Sequence, residues 1–226
     1  MLIVAVDTSG RQGSIALCRG DGKSFEILQL TALEGATYSA QLMPRIAEAL
    51  QQKNLDKAKV DGFAVVSGPG SFTGLRVGLA TAKGLCEVLR RPLATVSMLE
   101  ALALTYGRVG QPATVALDAG RGEVYVGEYE VSAGKASVVR EYIAKPETFA
   151  EEAGGIHGDL VTPDNKVAEA LRAANPNTRL VPAVHADEIG RIGLRKLMAG
   201  ETADPATVDV NYIRRSDAEL FSTPKH

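Results

Sequence analysis

The sequence predicts an α/β protein in two lobes, and its pattern of strands and helices carries this prediction. Three short strand patterns joined by turns open the chain, at residues 2–6, 14–18 and 24–30. Helical patterns then alternate with further strands, which is typical of sheets covered by helices. Because the first three strands are joined by turns of only a few residues, we expect them to form an antiparallel meander.

The opening pattern recurs near the middle of the chain. The apolar strand that ends in Asp7 is followed by a turn with glycine and arginine, and so is the apolar strand that ends in Asp118. A chance match over so few positions is one interpretation, and two related lobes are the other. We expect a first lobe over residues 1–105 and a smaller second lobe over 106–226, whose C-terminal helix packs back on the first.

The first helix is predicted from about Ser39, which can cap it, to Lys53. Pro44 lies early enough to disturb only the first turn, since the first amides of a helix have no partner within it. Further strands are predicted over 62–67 and 92–96, and further helices over 73–89 and 97–104.

The second lobe has a sparser pattern. A strand predicted over 123–129 follows the one that ends in Asp118, and helices are predicted near 164–174 and 187–198. Between them lie stretches rich in proline, glycine and polar residues, for which we predict no regular element. The tail from Arg214 is polar, which is typical of a frayed helix or of disorder.

Composition excludes several classes of protein. The 226 residues carry a net charge of −2, whereas a nucleic-acid-binding protein that acts alone normally has a basic surplus. Two distant cysteines, Cys18 and Cys86, give no zinc or disulfide pattern, and three scattered histidines give no metal set. No stretch approaches the ~20 apolar residues of a membrane span, and the start lacks the pattern of a signal peptide. We therefore expect a cytoplasmic protein without membrane contact.

A glycine-rich segment, Gly68-Pro69-Gly70-Ser71-Phe72-Thr73-Gly74, lies between a predicted strand and a predicted helix. Such a segment can bind phosphate at the start of the helix. Its spacing matches neither a dinucleotide-binding fingerprint nor a phosphate-binding loop that ends in Gly-Lys-Ser/Thr. The other interpretation is structural: a tight turn, with Ser71 or Thr73 as the cap of the helix.

Small residues form a strip on the helix that follows this segment. Gly74, Gly78 and Ala82 are spaced four apart, so another helix could approach this face closely. Glycine within a helix costs up to about 1 kcal/mol relative to alanine, so its repetition indicates a packing requirement. Either the strip packs inside its own lobe or it belongs to a subunit interface, with Arg76 and Lys83 on the opposite face.

Four segments together resemble one family. They are, in order, Val4–Ser9, Gly68–Gly78, Asp118–Tyr125 and Asn211–Arg215. The second of them, GPGSFTGLRVG, is the most specific. In this order and spacing the segments resemble the bacterial TsaB (YeaZ) family along nearly the whole chain. The resemblance implies an actin-like, sugar-kinase-like ATPase fold (ASKHA, ribonuclease H-like) in two lobes, the second of them reduced.

The resemblance implies a role in making N6-threonylcarbamoyladenosine at position 37 of tRNAs that read codons starting with A. In that pathway TsaD, a metal-containing paralogue, transfers the threonylcarbamoyl group to tRNA. TsaB binds TsaD and is required without carrying the chemistry, and TsaE, an ATPase, engages the pair. We therefore expect a non-catalytic subunit that reaches tRNA through the complex and forms a homodimer when it is alone.

The resemblance also assigns residues to a partner interface. The family forms a helical interface with the two helices that match 39–53 and 73–89, and one surface serves both the homodimer and the complex with TsaD. The interface residues expected here are Leu42, Met43, Ile46, Leu50, Gly74, Arg76, Gly78, Ala82 and Lys83.

No catalytic residue and no metal ligand is expected from the resemblance. TsaD-like proteins hold their metal with paired histidines, and the corresponding stretch here, residues 36–41, has none. Tyr38 stands where many members of the TsaB family keep one histidine.

Asp7, Ser9 and Asp118 are the candidates for a vestigial nucleotide site, because aspartates at these places position phosphates in actin-like folds. Aspartate is also a common turn residue for structural reasons alone. Thr8 and Ser9 follow Asp7 where a working phosphate loop usually has glycine, which weakens the nucleotide interpretation. No cofactor is firmly expected, and ATP or ADP at the junction with TsaD is left open.

Other functional classes stay open beside that of a non-catalytic subunit. Relatives labelled glycoprotease-like make a peptidase one alternative, and the fold makes a small-molecule kinase another. A pure nucleotide sensor is a third interpretation. The absent metal histidines argue against the peptidase, while the loop after Asp7 and the short second lobe argue against the kinase.

Overall fold

A computed structural model describes residues 1–34, 38–153, 158–211 and 213 of the chain. Several predictions fall outside these ranges: residues 36 and 37 of the stretch compared with TsaD, His157, Tyr212, and the tail from Arg214 to His226. Within the described ranges, no helix combines the length and the apolar character that crossing a membrane requires.

The chain forms two compact units. The first comprises Met1–Ala101 and Ala183–Val210, and the second comprises Leu102–Pro182 and, of the described residues beyond Val210, Asn211 and Ile213. The division into domains at residue 105 stays a prediction.

The first unit is built on a five-stranded sheet with the order β3-β2-β1-β4-β5. The first three strands form the predicted antiparallel meander, and β4 and β5 continue the sheet in parallel to β1. Parallel neighbours need a crossover connection, which α1 and α2 provide. The elements are β1 (Leu2–Asp7), β2 (Gly13–Gly20), β3 (Phe25–Leu33), α1 (Tyr38–Gln52), β4 (Gly62–Gly68), α2 (Phe72–Leu89) and β5 (Leu93–Ser97). The chain passes from the first unit to the second within α3 (Met98–Tyr106).

The second unit repeats this strand order. Its first three strands are again an antiparallel meander, and two further strands run parallel to the first of them, giving the order β8-β7-β6-β9-β10. The shared order agrees with the internal echo and confirms the predicted α/β architecture. The elements are β6 (Pro112–Gly120), β7 (Glu123–Ser132), β8 (Lys135–Ala144), α4 (Pro146–Ala153), β9 (Asp159–Thr162), α5 (Asn165–Arg172) and β10 (Arg179–Leu180).

Four elements of the second unit escaped prediction: β8, α4, β9 and β10. Most side chains of β8 are exposed or half-buried, so this strand lacks the buried face that gives a clear alternating pattern. β9 and β10 have only four and two residues. Helix α4 has a single large apolar residue, Phe149, which is buried in the core of the unit beside Leu160 and Leu171.

The sixth helix, α6 (Ala186–Met198), packs on the sheet of the first unit. Two glycines allow its close approach. A Cβ atom on Gly190 would lie 2.5 Å from the sulfur of Cys18, and one on Gly193 would lie 2.2 Å from the Cβ of Ala64. At the other end of the helix, the ammonium of Lys196 donates a hydrogen bond to Glu100 at 2.7 Å. With α1 and α2 on the opposite face, α6 buries β1 completely.

The strip of small residues on α2 faces inward, toward the end of β1. A Cβ atom on Gly74 would lie 2.0 Å from the carbonyl oxygen of Thr8, and one on Gly78 would lie 2.3 Å from the Thr8 hydroxyl oxygen. Ala82, one turn further along, is fully buried. The glycines therefore meet a packing requirement of their own unit, and the assignment of Gly74, Gly78 and Ala82 to a partner interface stays a prediction.

A buried carboxylate stabilises one edge of the second unit. Asp159, at the start of β9, accepts hydrogen bonds from the amide and guanidinium of Arg108 and from the guanidinium of Arg179, at 2.9–3.0 Å. Burial by itself raises the pKa of Asp159, but these hydrogen bonds outweigh burial and hold the pKa below its ordinary value. Asp159 therefore links the segment before β6 to the short strand β10.

The fit between Thr8 and Gly78 predicts a measurable coupling. Gly78→Ala places a methyl group on the Thr8 hydroxyl, and such overpacking costs about 1–3 kcal/mol of unfolding free energy. Thr8→Ala removes that hydroxyl, so Gly78→Ala should cost at least about 1 kcal/mol less in the Thr8→Ala background. Denaturant unfolding of the two single variants and the double variant measures the coupling.

Gly84 provides a matched control on the same helix. No atom lies within 4 Å of a Cβ built on it, so Gly84→Ala should stabilise the protein by up to about 1 kcal/mol through helix propensity. If Gly78→Ala were as stable as Gly84→Ala in both backgrounds, the packing described for Thr8 would be wrong.

Candidate functional site

The turn that follows β1, residues 7–10, is the first candidate site, and its polar groups bond to one another. The carboxylate of Asp7 accepts hydrogen bonds from the amide of Ser9 at 2.9 Å and from the Ser9 hydroxyl at 2.6 Å. Asp7, Thr8 and Ser9 are all buried. The aspartate thus shapes its own turn, as aspartates at this position of a turn commonly do.

The glycine-rich segment before α2 locks this turn in place. The Thr8 hydroxyl donates to the carbonyl oxygen of Gly74 at 2.7 Å, and the amide of Ser71 donates to the carbonyl oxygen of Ser9 at 2.6 Å. A Cβ atom on Gly70 would lie 2.5 Å from that same Ser9 oxygen. Ser71 also caps α2, since its hydroxyl accepts from the amide of Gly74. For this segment the structural interpretation, a tight turn with a serine cap, accounts for these contacts.

Tyr38 fixes the turn from the other side. Its hydroxyl donates to the carbonyl oxygen of Gly10 at 2.9 Å, and its ring lies where a side chain on Gly13 would have to go. Burial raises the pKa of Tyr38, and the charge of Asp7 adds to that effect. Tyr38 is therefore a structural support of the turn.

These contacts limit what the turn can do chemically. The hydroxyls of Thr8 and Ser9 both donate to groups of the protein, so binding a phosphate through either hydroxyl would cost an existing hydrogen bond. Burial raises the pKa of Asp7, while the hydrogen bonds from Ser9 and the nearby His185 oppose that effect. A nucleotide role for Asp7 and Ser9 stays a prediction, and the contacts on the page support a structural role.

The equivalent turn of the second unit is more open. Asp118 accepts a hydrogen bond from the amide of Gly120 at 2.7 Å, the same contact that Asp7 makes with Ser9. Its own amide donates to Asp164 at 2.7 Å. Gly120, Arg121 and Gly122 all have positive φ, and a Cβ atom on either glycine would meet nothing within 4 Å. Asp118 belongs to a different unit from Asp7, and a shared nucleotide site stays a prediction.

An apolar groove of about 440 Å³ between α1 and α2 is the second candidate site. Its lining comes from both helices, from β1 and β4, and from Lys57 and Val60 in the segment between α1 and β4. The lining residues are Val4, Met43, Ile46, Leu50, Lys57, Val60, Phe63, Ala80, Thr81, Gly84, Leu85, Val88 and Leu89. We call this site the α1–α2 groove.

The groove brings together only part of the predicted interface. Met43 is 49% exposed at its rim, and the buried side chains of Ile46 and Leu50 form part of its wall. Leu42 is buried and does not line the groove, like the inward residues Gly74, Gly78 and Ala82.

The two predicted cations of the interface make contacts within the protein. The guanidinium of Arg76 stacks on the ring of Phe72, 3.7 Å from its centroid. The ammonium of Lys83 donates to the carbonyl oxygen of Val208 at 2.9 Å, which holds the segment after α6 against α2. Lys83 therefore has a structural role in the first unit.

The outward strip on α2 was missed by the sequence analysis. Ala80, Gly84 and Val88 repeat at the same spacing as the inward strip, six residues further along the helix, and all three line the groove. Val88 is 80% exposed, the most exposed of the large apolar side chains reported for the described residues. An exposed valine above an open glycine is the signal that could have identified this surface.

Nothing in the described part of the chain resembles a metal centre or a reactive thiol. No group of three or more His, Cys, Asp or Glu residues is placed to hold a metal ion there. Burial raises the pKa of both Cys18 and Cys86 to about 12. Both thiols are therefore protonated and weakly nucleophilic at neutral pH.

The raised pKa of Asp7 predicts a pH-dependent effect on stability. An acid whose pKa is higher in the folded state destabilises the protein once the pH rises above its unfolded value of about 3.9. Asp7→Asn keeps the oxygen that accepts from Ser9 and removes the buried charge. The variant should therefore have a higher melting temperature at pH 7–8, and this gain should shrink toward pH 4. Melting curves over that range check it; a gain that grows at lower pH would contradict the assignment.

Comparisons with known proteins agree with the fold. A solved structure from Pseudomonas aeruginosa, described as an uncharacterized protein with similarity to peptidase YEAZ, superposes with a TM-score of 0.77 over 94% of this chain and 99% of the other, at 23% identity. A second structure, YeaZ from Pseudomonas aeruginosa, has a TM-score of 0.72 over 92% of this chain and 98% of the other, at 22% identity.

Sequence comparisons identify the family. The family model "TsaD: tRNA N6-adenosine threonylcarbamoyltransferase" matches residues 33–179. The tRNA threonylcarbamoyladenosine biosynthesis protein TsaB of Bacillus subtilis is 35% identical over 59% of this chain, which spans 57% of that protein's length. The TsaB protein of Escherichia coli is 31% identical over 72% of this chain and 70% of its own length. With the fold and the four sequence segments, these matches show that the chain belongs to the TsaB (YeaZ) family.

Proposed function

We propose that this protein is a non-catalytic subunit that binds TsaD and is required for transfer of the threonylcarbamoyl group to adenosine 37 of tRNAs that read codons starting with A. The names of its relatives support a role in tRNA threonylcarbamoyladenosine biosynthesis. The observation that carries the proposal is the α1–α2 groove, an apolar surface on the two helices expected to form the partner interface.

The shape of the groove suits packing against a helix. Gly84 has no neighbour within 4 Å of a Cβ position, so a partner backbone can come close there. Val88 and Met43 stand exposed on opposite walls, one on each helix, and can pack on both sides of an inserted side chain. Apolar side chains around a recess are typical of the central part of a protein interface.

The chemistry of the rest of the first unit supports a role without catalysis. The hydroxyls of Thr8 and Ser9 are used to fix the turn, and both thiols are protonated at neutral pH. The proposal places the transfer chemistry on TsaD, and this chain acts by holding TsaD in its working state.

The same groove would serve a homodimer when the chain is alone. A surface used for both purposes cannot be occupied by both partners at once, so TsaD should displace the second copy. TsaE would join the complex of this chain with TsaD, with ATP or ADP at their junction, in the cytoplasm.

Val88→Asp tests the proposal at the most exposed point of the groove. A carboxylate there would have to be desolvated on binding, so the affinity for TsaD should fall at least about tenfold, which corresponds to ~1.4 kcal/mol. Calorimetric titration with TsaD measures the affinity. Modification of tRNA by TsaD and its upstream synthetase, with and without this chain, measures the consequence.

Val139→Asp is the matched control, because Val139 is 61% exposed on β8 in the other unit. It should bind TsaD and support modification like the wild-type chain. Unchanged affinity in Val88→Asp would refute the assignment of the groove, and modification at full rate without the chain would refute the proposed function.

A further inference from the structure

Five cationic side chains lie at the end of the first unit's sheet where β4 and β5 begin. β4 and β5 are parallel neighbours with Phe63 opposite Leu93, so the segments that enter them lie side by side. Both segments are basic. We call their cations the basic edge: Lys53, Lys57 and Lys59 before β4, and Arg90 and Arg91 before β5.

One hydrogen bond ties the two segments together. The guanidinium of Arg91 donates to the carbonyl oxygen of Ala58 at 3.0 Å. Ala58 is the middle residue of the 3₁₀ turn Lys57–Lys59, so Arg91 lies beside the turn that carries both lysines. The side chains of the three lysines and of Arg90 are exposed. The charges therefore lie close together on the surface.

Positive charge exceeds negative charge along this edge. Within the described ranges, none of the five cations forms an ion pair with a carboxylate. The two segments hold five cations and two aspartates: Asp56 accepts from the amide of Ala58 at 2.8 Å, and Asp61 accepts from the amide of Leu2 at 2.7 Å. In a chain whose net charge is −2, this is a local concentration of positive charge.

Helix ends account for only part of the basic edge. Lys53 and Arg90 directly follow α1 and α2, where the helix dipole favours a cation. Lys57 and Lys59 lie beyond α1, on the 3₁₀ turn, where that effect has fallen off. These two lysines therefore need another explanation.

We propose that the basic edge binds the sugar-phosphate backbone of tRNA directly, while the adjacent groove holds TsaD. This inference rests on the proposed function. Lysine is depleted in the centres of protein interfaces, whereas exposed lysines and arginines are the usual contacts of phosphate oxygens. The basic edge consists of point charges without an aromatic side chain, which fits contact with any phosphate backbone and no reading of sequence.

The test uses Lys53→Gln/Lys59→Gln, since both lysines are exposed and neither lines the α1–α2 groove. Lys135→Gln/Lys166→Gln is the control, with the same change of charge at exposed lysines of the second unit. Binding of fluorescently labelled tRNA to the complex of this chain with TsaD is measured over a range of KCl concentrations, and TsaD affinity is measured in parallel.

The basic-edge variant should bind tRNA more weakly at low salt than the control. The negative slope of log K against log [KCl] should become shallower by about 1.4–1.8 when two phosphate contacts are lost. Its affinity for TsaD should equal that of the control. Equal tRNA affinity and equal slope in the two variants would overturn the inference. It would also be overturned if the basic-edge variant lost affinity for TsaD alone, because the edge would then meet an acidic protein surface.

Failure of the proposed function would look different from failure of this inference. If the proposed function failed, wild-type protein would not bind TsaD, or TsaD would modify tRNA fully without this chain. The tRNA titration of the two variants would then be made with the chain alone, and the same difference in slope would be expected.

Discussion

The contact between Thr8 and the glycine face of α2 is the constraint on which the first unit depends. Thr8 sits where any side chain at residue 74 or 78 would collide with it, and its hydroxyl donates to Gly74. This fit fixes the start of α2 against the end of β1 and determines which face of α2 points inward. Because that face is used, Ala80, Gly84 and Val88 point into the groove that α2 shares with α1.

The two units share a strand order and differ in how their turns are used. In both, an aspartate at the end of the first strand accepts from an amide two residues later. The turn at Asp7 is buried under Tyr38 and the segment before α2, whereas the turn at Asp118 is open, with three residues at positive φ. The turn after β1 in the first unit is thus a packing element.

The sequence was informative where burial leaves a periodic pattern. Strands such as β1 and the helices α1, α2 and α6 were predicted because each has an apolar face, and the echo around Asp118 anticipated the repeated strand order. The orientation of the glycine strip was not predictable, because Gly74 and Gly78 fit a partner helix as well as they fit Thr8. Strand β8 and the short strands β9 and β10 lack a buried face of useful length. The α1–α2 groove depends on how two helices pack on the same sheet, which no local pattern records.

The account assigns partner binding to the outer surfaces of α1 and α2 and a structural role to the turn after β1. Hydrogen–deuterium exchange of the chain with and without TsaD tests this division most directly. The account predicts slower amide exchange in α1 and in the C-terminal half of α2, residues 80–89, with no change at residues 7–10. Protection confined to the turns at Asp7 and Asp118, with both helices unchanged, would contradict it.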